Sequence, residues 1–255
     1  MIDLAKLTSI AKDASLDAGK AILAIYQNGD IGLEIKEDQS PLTLADKAAH
    51  EVIMKHLAAT GLPVLSEEGR AIPFAERKTW EYFWMVDPLD GTKEFVKRNG
   101  EFTVNIALIN RNTPVMGVIY APVLDWLYWG SADGGAWKQI GNNPPTRLKP
   151  LQDQEVRTIV ASRSHLNPET KEIIDSYPGA ETISMGSSLK FMLLGENKAQ
   201  LYPRLAPTME WDTAAAHGIL LGVNGQVYQI SGNTPIIYNK ENLLNPSFVA
   251  GLFVG

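Results

Sequence analysis

Two stretches near the start of the chain repeat apolar residues at the spacing of an amphipathic helix. The first predicts a helix over residues 4–25, with charged side chains on its opposite face. The second predicts a helix over residues 43–60 that stops at Gly61. Thr43 and Asp46 stand at capping-box spacing at its start, although Asp is less usual than Glu at the second position. Each helix therefore has one face to pack on a core.

Short apolar runs bounded by turn residues predict strands through the middle of the chain. These strands cover residues 63–65, 82–86, 103–109, 115–121, 126–130 and 135–139, the last two as a hairpin around Asp133-Gly134-Gly135. The segment Gly141–Pro145 is typical of a boundary or turn between two domains. It predicts an N-terminal α+β domain over residues 1–145 and a C-terminal α/β domain over residues 146–255.

After this boundary, strands and helices alternate, which is typical of an α/β arrangement. The predicted strands cover residues 158–161, 182–184, 199–202 and 226–230, and the predicted helices cover residues 168–176, 187–194 and 212–221. The length of 255 residues fits one large domain or two moderate ones, and it suffices to bury a sizeable core.

Composition and charge narrow the class of protein. The chain has no cysteine, which excludes a disulfide framework, a thiolate metal site and a cysteine nucleophile. Its formal charge of −6 argues against a nucleic acid polymer as partner, since such a partner requires a basic face. Charges near the N-terminus argue against a signal peptide, and the longest charge-free stretch, residues 213–239, is too polar for a transmembrane segment. We expect a soluble cytoplasmic protein, with peripheral membrane association as the alternative.

The most informative motif is Asp87-Pro88-Leu89-Asp90-Gly91-Thr92, which follows an apolar strand. Pro88 fixes the chain direction and Gly91 permits a close turn. Two carboxylates, the Leu89 carbonyl and the Thr92 hydroxyl can therefore meet in one small volume, and Mg²⁺ prefers oxygen ligands of this kind. The same residue types also build an ordinary turn, so the motif alone leaves both interpretations open.

Several other acids have two open interpretations. Glu67 and Glu68 follow a short strand, where they form either a solvated loop or a pair of carboxylates that share a cation. Asp212 opens a predicted helix, and a first-turn acid is stabilised there by the helix dipole even without a ligand. Asp46 has the same alternative at the start of the second helix. None of these acids shows on its own whether its role is structural or chemical.

Taken together, the motifs resemble the signature of the inositol monophosphatase superfamily. Glu67-Glu68, Asp87–Thr92 and Trp211–Ala215 stand in the order and approximate spacing of that superfamily. The second half is similar to its 3′(2′),5′-bisphosphate nucleotidase branch in three segments, residues 161–165, 186–191 and 199–204. The resemblance implies a layered α-β-α-β-α sandwich with a metal site at the junction of the two domains.

The resemblance also implies a role for each candidate residue. The metal ligands would be Glu67, Asp87, the Leu89 carbonyl, Asp90 and Asp212, holding two or three Mg²⁺ ions. Asp46 and Thr92 would activate the attacking water, with Glu67 as a rival for part of this catalytic role. The substrate-binding residues would be Glu67, Leu89, Asp90, Gly91, Thr92, His165, Ser187, Lys190, Arg204 and Asp212, with Ser162 beside them. Lys190 and Arg204 suit a second phosphate, although a lone basic residue is more often a solvated surface charge.

The resulting hypothesis is a Mg²⁺-dependent phosphatase. It would remove the 3′-phosphate of adenosine 3′,5′-bisphosphate by attack of a metal-activated water, giving AMP and phosphate. The further candidate substrate is 3′-phosphoadenylyl sulfate, and the resemblance implies competition by lithium. The alternatives are an inositol or sugar monophosphate phosphatase on the same fold, and a non-catalytic metal or nucleotide sensor. The oligomeric state is left open. One departure from the family motif is Ala216, where many members have glycine, which puts the packing of that helix in question.

Overall fold

The computed structural model describes residues 2–28, 32, 34–35, 41–152, 155–162, 167–232 and 234–252. The helices are α1 (Leu4–Asn28), α2 (Leu44–Ala58), α3 (Phe74–Arg77), α4 (Thr92–Val96), α5 (Pro168–Asp175), α6 (Leu189–Gly195) and α7 (Glu210–Leu221). The strands are β1 (Glu34–Ile35), β2 (Pro41–Leu42), β3 (Val64–Ser66), β4 (Tyr82–Asp90), β5 (Thr103–Asn110), β6 (Thr113–Ala121), β7 (Trp126–Ser131), β8 (Gly135–Ile140), β9 (Thr146–Arg147), β10 (Thr158–Ser162), β11 (Glu181–Met185), β12 (Leu201–Arg204), β13 (Gln226–Gln229) and β14 (Phe248–Gly251). In the described part of the chain, no helix combines the length and the apolar character that a membrane crossing requires.

A seven-stranded sheet in the order β3-β4-β5-β6-β7-β8-β9 forms the larger half of the protein. β3 and β4 run parallel, and the other neighbours in this sheet run antiparallel. Because side chains alternate along a strand, β4 contributes side chains to both faces of this sheet. Trp84 and Val86 pack in one core cluster with α1 and α2, while Phe83 and Met85 pack in a second cluster with α7. Helices therefore cover both faces of this sheet.

A second, five-stranded sheet has the order β11-β10-β12-β14-β13. β10 pairs in parallel with β11 and β12, whereas β14 is antiparallel to both of its neighbours. The core cluster that contains α6 and α7 also contains Val160, Tyr202 and Phe248 of this sheet. The two helices thus lie between the two sheets, and α5 contacts β12. This arrangement confirms the predicted layered α/β fold, while the division at residue 145 stays a prediction.

The largest differences from the predicted elements lie beside prolines and in short segments. β4 was predicted to end at Val86, yet it continues through Pro88 to Asp90 with a shift in register between Asp87 and Asp90. Proline is tolerated in strands at such irregularities because the ladder is interrupted there. The strand predicted over residues 199–202 lies two residues later, and β1, β2, β9, β14 and α3 were not predicted. These segments are short, so they carry little periodic pattern.

Helix α7 packs closely on β6 at two glycines. A Cβ atom built on Gly117 would lie 1.9 Å from the Ala215 carbonyl oxygen, and one built on Gly218 would lie 2.6 Å from the carbonyl carbon of Met116. Ala216 lies in the buried core between these contacts, with no exposed surface. The close approach of helix and strand therefore occurs at Gly117 and Gly218, and the core accommodates the alanine at position 216.

We expect Gly117→Ala to lower the free energy of unfolding by about 1–3 kcal/mol, because overpacking a tight core forces the backbone to shift. Denaturant titration measures this value. Gly195→Ala is the matched control, since its added Cβ would lie at an ordinary 3.7 Å from Leu148. Equal losses in the two variants would contradict the close helix–strand contact.

Candidate metal and nucleotide site

The carboxyl end of β4 places two acids at the centre of the molecule. Asp87 is 1 % exposed, and its Oδ1 accepts a hydrogen bond of 3.0 Å from the backbone N–H of Leu89. The register shift after Asp87 lets the strand continue to Asp90, which pairs with Thr103 of β5. Gly91 then adopts a left-handed φ of 94° and begins α4. The Asp-Pro-Leu-Asp-Gly-Thr motif is thus a strand irregularity followed by a tight turn.

Carboxylates from three separate elements converge beside this motif. Glu67 follows β3, whose parallel pairing aligns Ser66 with Val86 and so brings Glu67 beside Asp87. Asp212 comes from the first turn of α7, where its Oδ2 accepts a 2.9 Å hydrogen bond from the N–H of Met209. Ligand oxygens of Glu67, Asp87 and Asp212 all lie within 4.8 Å of one another. The structure therefore unites acids that lie 145 positions apart in sequence.

The electrostatics of this cluster favour a bound cation. Burial, followed by the nearby charges of Glu67 and Asp90, raises the pKa of Asp87 well above its usual range. Burial, and then Asp90 and Glu67, raises the pKa of Asp212 in the same way. Burial and the repulsion between neighbouring carboxylates both disfavour the ionised forms, and a bound cation would offset both effects. An all-oxygen donor set of this kind fits a hard divalent cation.

Asp46 and Thr92 lie together at the edge of this cluster. Asp46 Oδ2 accepts hydrogen bonds from the Thr43 N–H at 2.7 Å and the Thr43 hydroxyl at 2.6 Å, completing the capping box of α2. The Thr92 hydroxyl lies 3.4 Å from both Asp46 Oδ1 and the Leu89 carbonyl oxygen. Asp46 therefore has a capping role through one oxygen and meets Thr92 through the other.

A cavity of about 260 Å³ is lined by these carboxylates together with basic and aromatic side chains. It is lined by Glu67, Asp87, Leu89, Asp90, Gly91, Thr92, Ser162, Ser187, Lys190, Arg204 and Asp212, all of which were candidate site residues. Asp46 reaches it through Thr92. His165 lies outside the described residues. The structure thus brings the other candidates to one cavity, while their individual roles stay predictions.

Two buried basic side chains line the same cavity. Lys190 donates hydrogen bonds to the carbonyl oxygens of Ser187 at 2.5 Å and Met185 at 3.4 Å, and burial lowers its pKa to about 8. An ammonium group has three N–H donors, so one remains for a ligand. Arg204 donates from Nε to the Ala206 carbonyl at 3.1 Å and from Nη2 to the Pro207 carbonyl at 3.2 Å. These bonds fix both cations against the cavity wall.

The sequence analysis missed two groups of residues in or beside the cavity. The first is aromatic: Phe191, Tyr202 and Phe248 line the cavity, with ring centroids 4.9–5.8 Å apart. The second is polar: Ser188 and Asn105 join the predicted residue Ser187 around Asp90, whose Oδ2 accepts from the hydroxyls of Ser187 at 2.6 Å and Ser188 at 2.9 Å, and from Asn105 Nδ2 at 3.3 Å. A buried asparagine within the apolar run of β5 was the available signal for this second group.

The chain belongs to the inositol monophosphatase family, whose family model matches residues 3–252. Members of this family are metal-dependent, and the carboxylate cluster fits a metal site.

Named relatives cover nearly the whole chain. The chain is 45 % identical over 242 residues to the "3′(2′),5′-bisphosphate nucleotidase CysQ" of Shigella flexneri, covering 93 % of this chain and 96 % of the relative. It is 46 % identical over 237 residues to the protein of the same name from Salmonella typhimurium, covering 91 % and 94 %. The crystal structure of CysQ from Bacteroides thetaiotaomicron, described as a bacterial member of the inositol monophosphatase family, superposes with a TM-score of 0.88 at 46 % identity, covering 98 % of both chains. The family that the sequence motifs indicated is therefore confirmed.

Proposed function

We propose that the protein is a metal-dependent 3′(2′),5′-bisphosphate nucleotidase that hydrolyses adenosine 3′,5′-bisphosphate to AMP and phosphate. The observation that carries this proposal is the cavity itself, which is lined both by the carboxylate cluster and by the basic side chains of Lys190 and Arg204. Such a cavity matches a substrate with two separate phosphates. CysQ relatives that share 45–46 % of their residues with the chain bear the corresponding name. We include 3′-phosphoadenylyl sulfate as a further substrate, since it also has a 3′-phosphate.

The carboxylate cluster would hold the cations that phosphate-ester hydrolysis requires. Glu67, Asp87, the Leu89 carbonyl, Asp90 and Asp212 are the ligands we assign to two or three Mg²⁺ ions. When bound, such ions offset charge on the phosphoryl group and lower the pKa of water. The chain holds the acids on rigid elements, because Asp87 and Asp90 end a central strand and Asp212 lies in the first turn of α7.

Asp46 and Thr92 would take the proton of the attacking water. The Thr92 hydroxyl lines the cavity and lies within donating distance of Asp46 Oδ1, so its oxygen would accept the proton of the water while its own proton passes to Asp46. Asp46 is 2 % exposed and is anchored by Thr43, so the pair keeps its orientation without substrate. Gly91 and Thr92 line the same cavity, and their backbone N–H groups would donate to phosphate oxygens.

The basic and aromatic lining residues would bind the second phosphate and the nucleoside. Arg204 offers a planar fork that suits phosphate, and Lys190 offers its remaining N–H. Tyr202 and Phe248 supply flat apolar surface in the same cavity, which suits a base. A monophosphate with one anionic group would leave Lys190 and Arg204 unused.

A direct comparison of substrates tests the proposed function. Purified protein with Mg²⁺ is assayed for phosphate release from adenosine 3′,5′-bisphosphate, AMP and inositol 1-phosphate at equal concentrations. We expect rapid release from the bisphosphate only, with AMP as the nucleotide product. Faster hydrolysis of inositol 1-phosphate would overturn the assignment in favour of a monophosphate phosphatase, and metal binding without any hydrolysis would favour a sensor.

We expect Arg204→Gln to raise the KM for adenosine 3′,5′-bisphosphate by about 10–100-fold, because a charge-assisted hydrogen bond contributes about 1.5–3 kcal/mol. Steady-state kinetics on the bisphosphate and on 3′-AMP, which lacks the 5′-phosphate, measure the effect. Arg147→Gln is the control, since Arg147 lies on the exposed strand β9. An equal KM change for both substrates would contradict a role in binding the second phosphate.

A further inference from the structure

One oxygen of the Asp90 carboxylate is the end point of a buried hydrogen-bond network. Ser187, Ser188 and Asn105 all donate to Oδ2, and every hydrogen bond that a described residue donates to this carboxylate ends on that oxygen. Ser188 and Asn105 are each 1 % exposed, so water does not substitute for them. The network therefore leaves Oδ1 of Asp90 available for a ligand in the cavity.

The Asn105 amide links Asp90 to Ser188. Asn105 uses its amide hydrogens for Asp90 Oδ2 and for the Ser188 hydroxyl oxygen, at 3.3 and 2.9 Å. Its own carbonyl oxygen accepts from the Thr103 hydroxyl at 2.8 Å, which fixes the orientation of the amide. Ser187 Oγ lies 2.6 Å from both Thr103 Oγ1 and Asp90 Oδ2, and either hydroxyl can donate in the contact between Ser187 and Thr103. The two N–H donors of Asn105 therefore point at Asp90 and at Ser188.

The donors come from both halves of the chain. Thr103 and Asn105 lie on β5 of the large sheet. There Thr103 pairs with Asp90 of β4 and Asn105 pairs with Asp87. Ser187 and Ser188 belong to the turn before α6, where Ser187 has a left-handed φ of 53°. Lys190 holds this turn through the Ser187 carbonyl. Ser188 also lies 2.9 Å from the backbone carbonyl oxygen of Asp212, so one hydroxyl touches two acid-bearing segments.

We propose that Asn105 and Ser188 are positioning residues for the cation site: they hold Asp90 with Oδ1 facing the cavity and fix it relative to Asp212. The proposal rests on the cation site of the proposed function, but it does not depend on which phosphate ester is hydrolysed. Partners of metal-binding carboxylates orient the ligand, and their loss commonly weakens metal binding by about 10–100-fold. Asn105 and Ser188 are suited to this role because both are buried and neither carries charge.

The test measures cation binding without substrate. Isothermal titration with Mg²⁺ and with Mn²⁺ is performed on the metal-free wild type, Asn105→Ala and Ser188→Ala. We expect each variant to bind about tenfold more weakly, with a matching rise in the Mg²⁺ concentration that gives half-maximal turnover. The matched control is Asn110→Ala, because Asn110 lies at the other end of the same strand and pairs with Thr113. It should bind as the wild type does.

The double variant separates positioning from general packing. Since Asn105 donates to Ser188, losing both should cost less than the sum of the two single losses. Wild-type affinity in both single variants, with their folds intact by circular dichroism, would overturn the proposal. If Asn105→Ala does not fold, the cation affinity of the smaller change Ser188→Ala, measured by the same titration, tests the proposal. Should the wild type bind Mg²⁺ without hydrolysing the nucleotide, the proposed function fails while the titrations still decide the roles of Asn105 and Ser188.

Discussion

Asp87→Asn should reduce Mg²⁺-dependent turnover by about a thousandfold, because the stabilisation that a correctly held cation gives to phosphoryl transfer is about 4 kcal/mol. Asparagine has the same shape and keeps a carbonyl oxygen for the Leu89 N–H, so the bulge at the end of β4 should persist. What is lost is the charge at the centre of the carboxylate cluster. Turnover at saturating Mg²⁺ measures the loss.

The same substitution should stabilise the metal-free protein. The folded-state pKa of Asp87 is raised above its unfolded value by burial and then by Glu67, Asp90 and Asp212. Its contribution to stability is therefore present when the carboxyl is protonated in acid, and it is lost as the pH rises through the folded pKa. In chelator, the Tm of the wild type should fall as the pH rises above the ordinary Asp pKa of 3.8, and that fall should be smaller in Asp87→Asn.

Asp133→Asn is the matched control for both measurements, because Asp133 is exposed in the turn between β7 and β8. It should change neither turnover nor the pH dependence of Tm. Full activity in Asp87→Asn would remove Asp87 from the metal site. A metal-free Tm below that of the wild type would show that the carboxylate stabilises the fold rather than straining it.

Much of the fold was predictable because its long elements carry strong periodic patterns. The two N-terminal helices and the strands β4 to β8 were predicted near their observed bounds. The end of β4 was not, because Pro88 within a strand argues against that assignment unless an irregularity is foreseen. The pairing of β14 could not be predicted from the sequence either, since Phe248–Gly251 pairs with β12, more than 40 residues earlier in the chain.

The acids were predictable as candidates, whereas their shared geometry was not. For Asp46 and Asp212 the sequence left a choice between helix capping and chemistry; the structure shows the capping, and the chemical role of both acids stays a prediction. Each acid caps its helix with Oδ2, through Thr43 and Met209 respectively. Asn105 escaped notice because its partner Ser188 lies 83 positions away. Only the packing of β5 against the turn before α6 brings the two together.

Thr92→Val should lower kcat by about a hundredfold with little change in KM, because a positioned proton acceptor contributes about 10²–10⁴-fold to the rate. Valine keeps the branched shape of threonine and removes only the hydroxyl that lies 3.4 Å from Asp46 Oδ1. Thr92 is a cleaner target than Asp46, since changing Asp46 would also remove the N-terminal cap of α2. Rapid-mixing kinetics on adenosine 3′,5′-bisphosphate separate the hydrolytic step from product release.

Thr92→Ser supplies the internal comparison, because it restores the hydroxyl and omits the methyl group. If the hydroxyl orients the attacking water, the serine variant should recover most of the lost kcat, while the valine variant should still bind Mg²⁺ with wild-type affinity. Equal losses in the two variants would assign the effect to packing at the start of α4. A loss of Mg²⁺ affinity in Thr92→Val would instead place Thr92 among the groups that hold the cation, through the Leu89 carbonyl that it also approaches at 3.4 Å.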